Sequence, residues 1–241
     1  MVADLKIHGV PELADGFARI VEETSRKAIA DRGSFSMAIP GGSAAEMLLP
    51  SLVPAAIDWA KAAVFWVDER MVPPDDADSN FRVARSKWLH GVPIPGDRIH
   101  RMRGEDPDPS EAAAAYSRVL GQQLGHRPRI DLVLLGMGAD GHVASLFPGH
   151  RLLRTWDRDV AALEDAPKPP VRRMTLTLRA LTAARRIVVF ATGNAKAEAV
   201  EDVLSNEESE LPVALATMGD APVTFLLDPE AASKIQRGAP C

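Results

Sequence analysis

The sequence predicts an α/β fold, Rossmann-like, in which a mostly parallel sheet is covered by helices on both faces within a single domain, residues 1–241. Short apolar runs of strand length alternate along the chain with segments whose apolar residues recur at helical spacing. The short runs are continuously apolar, which is typical of parallel strands buried on both faces. No internal repeat, low-complexity linker or long charge run divides the chain, so one domain is the simplest interpretation.

The first half of the chain gives the following elements in order. Apolar residues near i, i+4 and i+7 predict a helix over residues 12–31, and Gly33 follows as its C-terminal cap. The apolar run 35–39 is a strand that leads through a glycine turn into a helical segment at 44–49. A second buried strand is predicted at 62–67, and an irregular loop and a helical segment ending near Leu89 follow it.

The second half repeats the alternation. An alanine-rich helix at residues 108–125 precedes a strand at 130–135, and a strand at 186–191 precedes a helix at 195–204. Two closing strands are predicted, at 212–216 and 223–227.

Polar clusters follow four of the predicted elements. In open parallel sheets the ligand lies beyond the carboxyl ends of the strands. Four independent strand ends therefore indicate one site, and they are residues 41–43, 68–70, 136–142 and 193–196.

His142 is the first candidate for chemistry. It follows a glycine turn, two residues after Asp140, and imidazole has the unperturbed pKa nearest to neutral pH, which suits a general base. The preceding residues spell G-x-G-x-x-G, the dinucleotide fingerprint. We reject that reading, because Pro148 and Gly149 arrive where the fingerprint requires a regular helix.

The Pro-Gly-Gly-Ser turn at residues 40–43 is a candidate phosphate cradle, since glycines let the backbone approach a ligand closely. It lacks the lysine of a Walker motif, so a nucleoside triphosphate is not implied. Lys196 is a candidate for the missing cation, from a different strand end, and Arg173 is a second candidate. Taken alone, each is equally compatible with a solvated surface residue.

Composition excludes several classes of protein. With 28 basic and 33 acidic side chains the net charge is −5, and the cations are scattered, so no footprint for nucleic acid exists. No apolar run of membrane length and no secretory signal occur, which predicts a cytoplasmic protein. The single cysteine, Cys241, excludes a disulfide framework or a cysteine zinc site within the chain.

A metal site is also not indicated. Asp76, Asp78 and Asn80 imitate the start of a calcium loop, but Phe81 stands where that loop requires glycine. We expect these aspartates to cap the following helix instead.

Five phrases of the chain, taken together and in this order, resemble the 6-phosphogluconolactonase family. The phrase 136–149 is the most specific of them, whereas Gly-Gly-Ser alone would not be specific to the family. The phrases are residues 40–43, residues 68–73 continuing to 78–80, residues 136–149, residues 173–177 and residues 191–196.

This family shares its fold with aminosugar-phosphate deaminases, and two features favour the lactonase. The deaminases carry a further glutamate shortly after the histidine, whereas residues 143–149 contain no carboxylate here. The deaminases also have an aromatic residue after the Asp-Glu pair, where this chain has Arg70.

The resemblance implies hydrolysis of 6-phosphoglucono-1,5-lactone to 6-phosphogluconate, without cofactor or metal. His142 is the expected general base, Asp140 either orients it or shapes the turn, and Arg70 holds the oxyanion or sugar hydroxyls, with backbone N–H groups as competitors. We expect a monomer or weak homodimer. The alternatives are an aminosugar-phosphate deaminase or isomerase and a non-catalytic sugar-phosphate-binding protein. The expected substrate- and phosphate-binding residues are Gly41, Gly42, Ser43, Asp68, Asn80, Gly138, Arg173 and Lys196.

Overall fold

The computed structural model describes residues 3–235, and its main sheet consists of parallel strands. Numbered along the chain, these strands are β1 (Ala3–Ile7), β2 (Phe35–Ile39), β3 (Ala62–Trp66), β5 (Ile99–His100), β6 (Leu132–Gly136), β9 (Ile187–Ala191) and β10 (Val223–Leu227). A smaller antiparallel sheet contains β4 (Asp68–Arg70), β7 (Val160–Leu163) and β8 (Arg173–Leu176).

The spatial order of the main sheet is β1-β10-β9-β6-β2-β3-β5. From β2 the chain moves outward through β3 to β5, and from β6 it moves in the opposite direction through β9 to β10. The direction therefore reverses between β2 and β6, which are neighbours. At such a switch point the two connections leave in opposite directions and open a crevice at the carboxyl ends of the strands.

Helices make the connections between the strands. Because crossovers between parallel strands are right-handed, the reversal places the early helices on one face of the sheet and the later ones on the other. This confirms the predicted α/β class. The helices are α1 (Val10–Arg32), α2 (Gly42–Leu48), α3 (Asn80–Lys87), α4 (Pro109–Leu124), α5 (Leu178–Thr182), α6 (Ala197–Ser205) and α7 (Pro212–Ala216).

The strongest sequence signals gave the most accurate element bounds. The Asp108 carboxylate accepts hydrogen bonds from the backbone N–H groups of Ser110 and Glu111 at 2.9 and 3.1 Å, which fixes the start of α4. Gly33, at φ +78°, ends α1 and donates its N–H to the Ile29 carbonyl. Strands β2, β3 and β10 are buried along their whole length, as their apolar composition predicts.

The prediction of a strand at residues 212–216 was wrong, because this segment is the helix α7. Five apolar residues satisfy either pattern, and Pro212 fits the first turn of a helix, where an N–H would have no partner. Strand β1 and the two-residue β5 were not predicted; β1 is an exposed edge strand with charged residues. The antiparallel sheet was also not predicted.

The aspartate loop differs in detail from its prediction. Ser79, not an aspartate, caps α3 by accepting a hydrogen bond from the Arg82 N–H. Asp76 instead accepts the N–H of Asp78 within the loop, so it stabilises the turn before the helix.

None of the helices between residues 3 and 235 has the length and apolar character needed to cross a membrane. Met1, Val2 and Cys241 lie outside the described residues, so the predictions that concern them stay predictions.

Candidate active site

A cavity of about 180 Å³ opens at the carboxyl ends of β2 and β6, where the direction of the chain reverses. The four polar clusters meet there, as their positions after strands predicted. Every predicted site residue except Asp140 lines the cavity: Gly41, Gly42, Ser43, Asp68, Arg70, Asn80, Gly138, His142, Arg173 and Lys196.

Asp140 does not line the cavity itself but is hydrogen-bonded to His142, which does. Its Oδ1 atom is 2.5 Å from His142 Nδ1, and the imidazole also packs against the Phe147 ring at a centroid distance of 4.9 Å. A carboxylate at Nδ1 favours the tautomer with the proton on that nitrogen. The arrangement therefore leaves Nε2 with a free lone pair.

Burial lowers the pKa of His142 from its ordinary value, although the hydrogen bond and charge of Asp140 act in the opposite direction. Burial by itself would raise the pKa of Asp140, but its hydrogen bond to His142, the charge of His142 and the backbone hydrogen bonds together outweigh burial, and the pKa is lowered. The pair at neutral pH is thus a carboxylate and a neutral imidazole, which is the form a general base requires.

Two glycines are required by close approach. A Cβ atom on Gly138 would lie 1.9 Å from His142 Nδ1 and 2.5 Å from Asp140 Oδ1. A Cβ on Gly41 would lie 1.8 Å from Asn80 Oδ1. Each glycine therefore leaves the space that a polar side chain of the site occupies.

Asp68 is the centre of a buried hydrogen-bond network. Its Oδ2 accepts from the Ser145 hydroxyl at 2.7 Å, and its Oδ1 accepts from Asn80 Nδ2 at 3.1 Å. Arg173 Nη1 is 3.4 Å from the same serine hydroxyl. The network joins β4, β8, the start of α3 and the loop that follows β6, so it connects the small sheet to the loop after a strand of the main one.

Glu69 fixes the neighbours of Asp68 from the other side of β4. Its carboxylate accepts the backbone N–H groups of Arg70, Asn80 and Phe81, each at 2.8 Å, and the Ser79 hydroxyl at 3.2 Å. Burial raises the pKa of Glu69 to about 7, against the lowering effect of the three backbone donors. Glu69 thus binds the start of α3 to β4 and positions two cavity residues.

Arg70 reaches the cavity rim from β4. Its Nη1 donates to the Asp78 carbonyl at 2.7 Å, and its Nε is buried without a hydrogen-bond partner among residues 3–235. The guanidinium is therefore anchored at one nitrogen and keeps donors for a ligand.

Most hydrogen-bond donors of Arg173 are already engaged, unlike those of a side chain that serves only to bind phosphate. Its Nε donates to the Pro170 carbonyl at 2.8 Å, and its Nη2 donates to the carbonyls of Lys168 and Pro169 at 3.0 and 3.3 Å. Most of its donors thus hold the β7–β8 connection in place. Only Nη1 is left to face the cavity.

Lys196 stands on a 3₁₀ turn, Asn194–Lys196, after β9. The turn begins at Gly193, whose φ of +85° favours glycine and whose N–H donates to the Asp228 carboxylate. Burial lowers the pKa of Lys196, the charge of Lys168 lowers it further, and Asp140 opposes both. Within the described part of the chain, the Lys196 ammonium forms no ion pair.

Three residues of the site were not predicted. Ser145 lies in a motif quoted for the resemblance, but only the fold shows that it contacts Asp68. Glu69 also lies in a quoted motif, but the sequence predicted only its neighbours Asp68 and Arg70 as site residues. Lys168 gave no signal, because the segment that carries it shows no periodicity.

The arrangement provides a base with a free nitrogen, an arginine with spare donors and a lysine without a counterion around one small cavity. Among residues 3–235 no group of three or more histidine, cysteine or acidic side chains could hold a metal ion. The chemistry that these side chains support is proton transfer next to a bound anion.

Comparisons with known proteins agree with this geometry. The family model described as glucosamine-6-phosphate isomerases/6-phosphogluconolactonase matches residues 10–225. A rat protein named 6-phosphogluconolactonase is 38% identical over 233 residues, which covers 93% of this chain and 90% of the relative. A rice protein (Oryza sativa subsp. indica) named probable 6-phosphogluconolactonase 4, chloroplastic, is 37% identical over 242 residues, covering 93% of this chain and 74% of the relative.

The fold is similar to solved structures as well. A structure of 6-phosphogluconolactonase from Trypanosoma cruzi superposes with a TM-score of 0.87 at 28% sequence identity, covering 98% of this chain and 97% of the other.

Proposed function

The chain belongs to the family of glucosamine-6-phosphate isomerases and 6-phosphogluconolactonases, and from this premise we propose that it is a 6-phosphogluconolactonase. It hydrolyses 6-phosphoglucono-1,5-lactone to 6-phosphogluconate in the oxidative pentose phosphate pathway. The observation that carries the assignment is the His142–Asp140 pair beside a cation-lined cavity, in a chain whose relatives of similar length carry the lactonase name.

His142 acts as the general base in this proposal. Its Nε2 takes a proton from a water molecule, whose oxygen attacks the lactone carbonyl carbon. Asp140 keeps the Nδ1 proton in place and stabilises the imidazolium that forms. When the tetrahedral intermediate collapses, the bond from the carbonyl carbon to the ring oxygen breaks, and Nε2 returns the proton to that oxygen. No covalent enzyme intermediate is needed.

Arg70 is the candidate for stabilising the negative charge on the carbonyl oxygen, because its guanidinium lines the cavity and keeps unpaired donors. Backbone N–H groups of the glycine turn at residues 136–138 are the competing donors. The role of Arg70 is tested by measuring kcat and KM for lactone hydrolysis, since loss of an oxyanion donor lowers kcat more than it raises KM.

The phosphate group lies against Gly42 and Ser43 in this proposal, with Lys196 as its principal cation. Lys196 is suited to this because its ammonium is half-buried and forms no ion pair within residues 3–235. Arg173 contributes one nitrogen, Nη1, since its other donors bind backbone carbonyls.

The same fold and family include aminosugar-phosphate isomerases, so that activity is the main alternative. The absence of a carboxylate in residues 143–149 argues against it. Release of ammonia from glucosamine 6-phosphate by the purified protein would support the alternative. Binding of 6-phosphogluconate without lactone turnover would support the second alternative, a non-catalytic binding protein.

The decisive experiment compares the wild type with His142→Ala in a lactone-hydrolysis assay, after subtraction of spontaneous hydrolysis. We expect kcat to fall by about 10² to 10⁴, the usual effect of removing a general base. His150→Ala is the matched control, because His150 also pairs with an aspartate, Asp165 at 3.1 Å, but does not line the cavity. A wild-type kcat in His142→Ala would exclude His142 as the base.

The cytoplasmic location and the monomeric or weakly dimeric state stay predictions. Light scattering of the purified chain over a range of concentrations tests the second.

A further inference from the structure

Lys168 does not itself line the cavity, but it contacts Asp140, the partner of the cavity residue His142, and it takes no part in the mechanism described above. Its Nζ atom is 3.7 Å from Asp140 Oδ2, whereas the other oxygen of that carboxylate holds His142. The Lys168 side chain is 55% exposed. The ammonium is therefore held by one long, solvent-exposed ion pair, a kind of contact that contributes little and is easily exchanged.

The backbone beneath Lys168 is much better fixed than its side chain. The Arg173 guanidinium donates to the carbonyls of Lys168, Pro169 and Pro170 at 2.8 to 3.3 Å. Arg173 is itself buried and bound to the network around Asp68. Because the backbone is fixed and the long side chain is exposed, the Lys168 ammonium can be repositioned by side-chain rotation without disturbing the fold.

The charges around Lys168 do not balance. Lys168 and Lys196 are close enough that the charge of Lys168 lowers the pKa of Lys196, and Asp140 is the acid that faces both. Asp140 is already engaged by His142. Within the described residues the Lys168 ammonium thus has only a carboxylate that His142 already engages, and the Lys196 ammonium has no ion pair, which leaves positive charge suited to a dianion.

We propose that Lys168 is a specificity-determining residue that leaves Asp140 when substrate binds and joins Lys196 in binding the phosphate ester of the lactone. The proposal rests on the lactonase function given above. It assigns to Lys168 a cationic contact in addition to Lys196 and to the single nitrogen, Nη1, that Arg173 contributes. In the free protein, Asp140 holds the Lys168 ammonium beside the proposed base, His142.

Movement of the Lys168 ammonium away from Asp140 also changes the charge next to the proposed base, His142. In the free protein Lys168 lies beside the His142–Asp140 pair; burial is the main cause that lowers the pKa of His142, Asp140 and Asp68 raise it, and the charge of Lys168 lowers it. The cationic side chains of the cavity that His142 lines are Arg70, Arg173 and Lys196.

Steady-state kinetics of Lys168→Met with two substrates test the proposal. With the phosphorylated lactone we expect KM to rise by about tenfold, the effect of losing one charge-assisted hydrogen bond, with kcat changed much less. With unphosphorylated gluconolactone we expect KM within about twofold of the wild type, since no phosphate is present. Lys168→Arg keeps the charge and is expected to recover part of the loss.

Lys61→Met is the matched control. Lys61 forms a surface ion pair with Asp58 at 3.1 Å and is 52% exposed, but it does not line the cavity. An unchanged KM in Lys168→Met, or an equal rise for both lactones, would overturn the proposal, because either result separates Lys168 from the phosphate.

Binding measurements keep this result distinct from failure of the proposed function. Calorimetric titration of 6-phosphogluconate, with gluconate for comparison, needs no turnover. We expect Lys168→Met to weaken 6-phosphogluconate binding by about tenfold relative to Lys61→Met. Equal affinity in the two variants would refute the role of Lys168 whether or not the chain hydrolyses the lactone.

Discussion

A single methyl group added at Gly138 should disable the proposed base without unfolding the protein. The backbone of Gly138 does not have a left-handed φ, so alanine is compatible with its conformation. The obstacle is the space, because the added Cβ would lie 1.9 Å from His142 Nδ1 and 2.5 Å from Asp140 Oδ1. Both contacts are with side chains, which can rotate away.

The expected loss follows from the distance that must be recovered. Ordinary contact begins near 3.4 Å, so the imidazole has to move by 3.4 minus 1.9, or about 1.5 Å. Misplacement of a catalytic group by about 1 Å can cost 10²-fold in rate. We therefore expect kcat of Gly138→Ala to fall by roughly 10²-fold or more, but by no more than in His142→Ala.

The assay is initial-rate lactone hydrolysis at saturating substrate, corrected for the spontaneous reaction, with the free energy of unfolding measured by urea in parallel. Gly121→Ala is the control, because Gly121 lies inside α4 and a Cβ there would meet nothing within 4 Å. This control should keep kcat and gain roughly 0.5 to 1 kcal/mol in stability.

The reasoning would be refuted by a folded Gly138→Ala variant with kcat within about threefold of the wild type. Such a result would mean that the position of His142 against Asp140 does not limit the reaction.

Two further predictions concern pH and stability. Burial lowers the pKa of His142 from its ordinary value and the base must be neutral, so kcat/KM should fall only as the pH drops through a pKa below that of an ordinary histidine. Asp140→Asn removes a group that raises this pKa, so the acidic limb of the pH profile should move to still lower pH while the plateau falls; movement to higher pH would contradict this. Glu69→Ala leaves three backbone N–H groups and a hydroxyl without their acceptor, so urea titration should show a loss of about 4 kcal/mol, four donors at the low end of roughly 1 to 3 kcal/mol each. The exposed Glu207→Ala should stay within roughly 0.5 kcal/mol of the wild type, and an equal loss in both variants would remove the special role of Glu69.

Element type followed the sequence closely wherever apolar periodicity was long or a cap was present. The helix at residues 108–125 was predicted within one residue of α4, since Asp108 and Gly125 mark its two ends. Short segments were less certain, because five apolar residues at 212–216 fit a strand and a helix equally well. Strands β4, β7 and β8 were missed for a related reason. They pair only with each other, and nothing in their local sequence indicates which strand each one pairs with.

The sequence by itself indicated where the candidate site lies and most of the polar residues that line it. Parallel strands bring their carboxyl ends to one edge of a sheet, so polar residues after successive strands must meet, and His142, Arg70 and Lys196 do. The tertiary structure alone decided how those residues are held. Arg173 is committed to backbone carbonyls, and Lys168 lies beside Asp140, because contacts between distant segments depend on packing and carry no local signal.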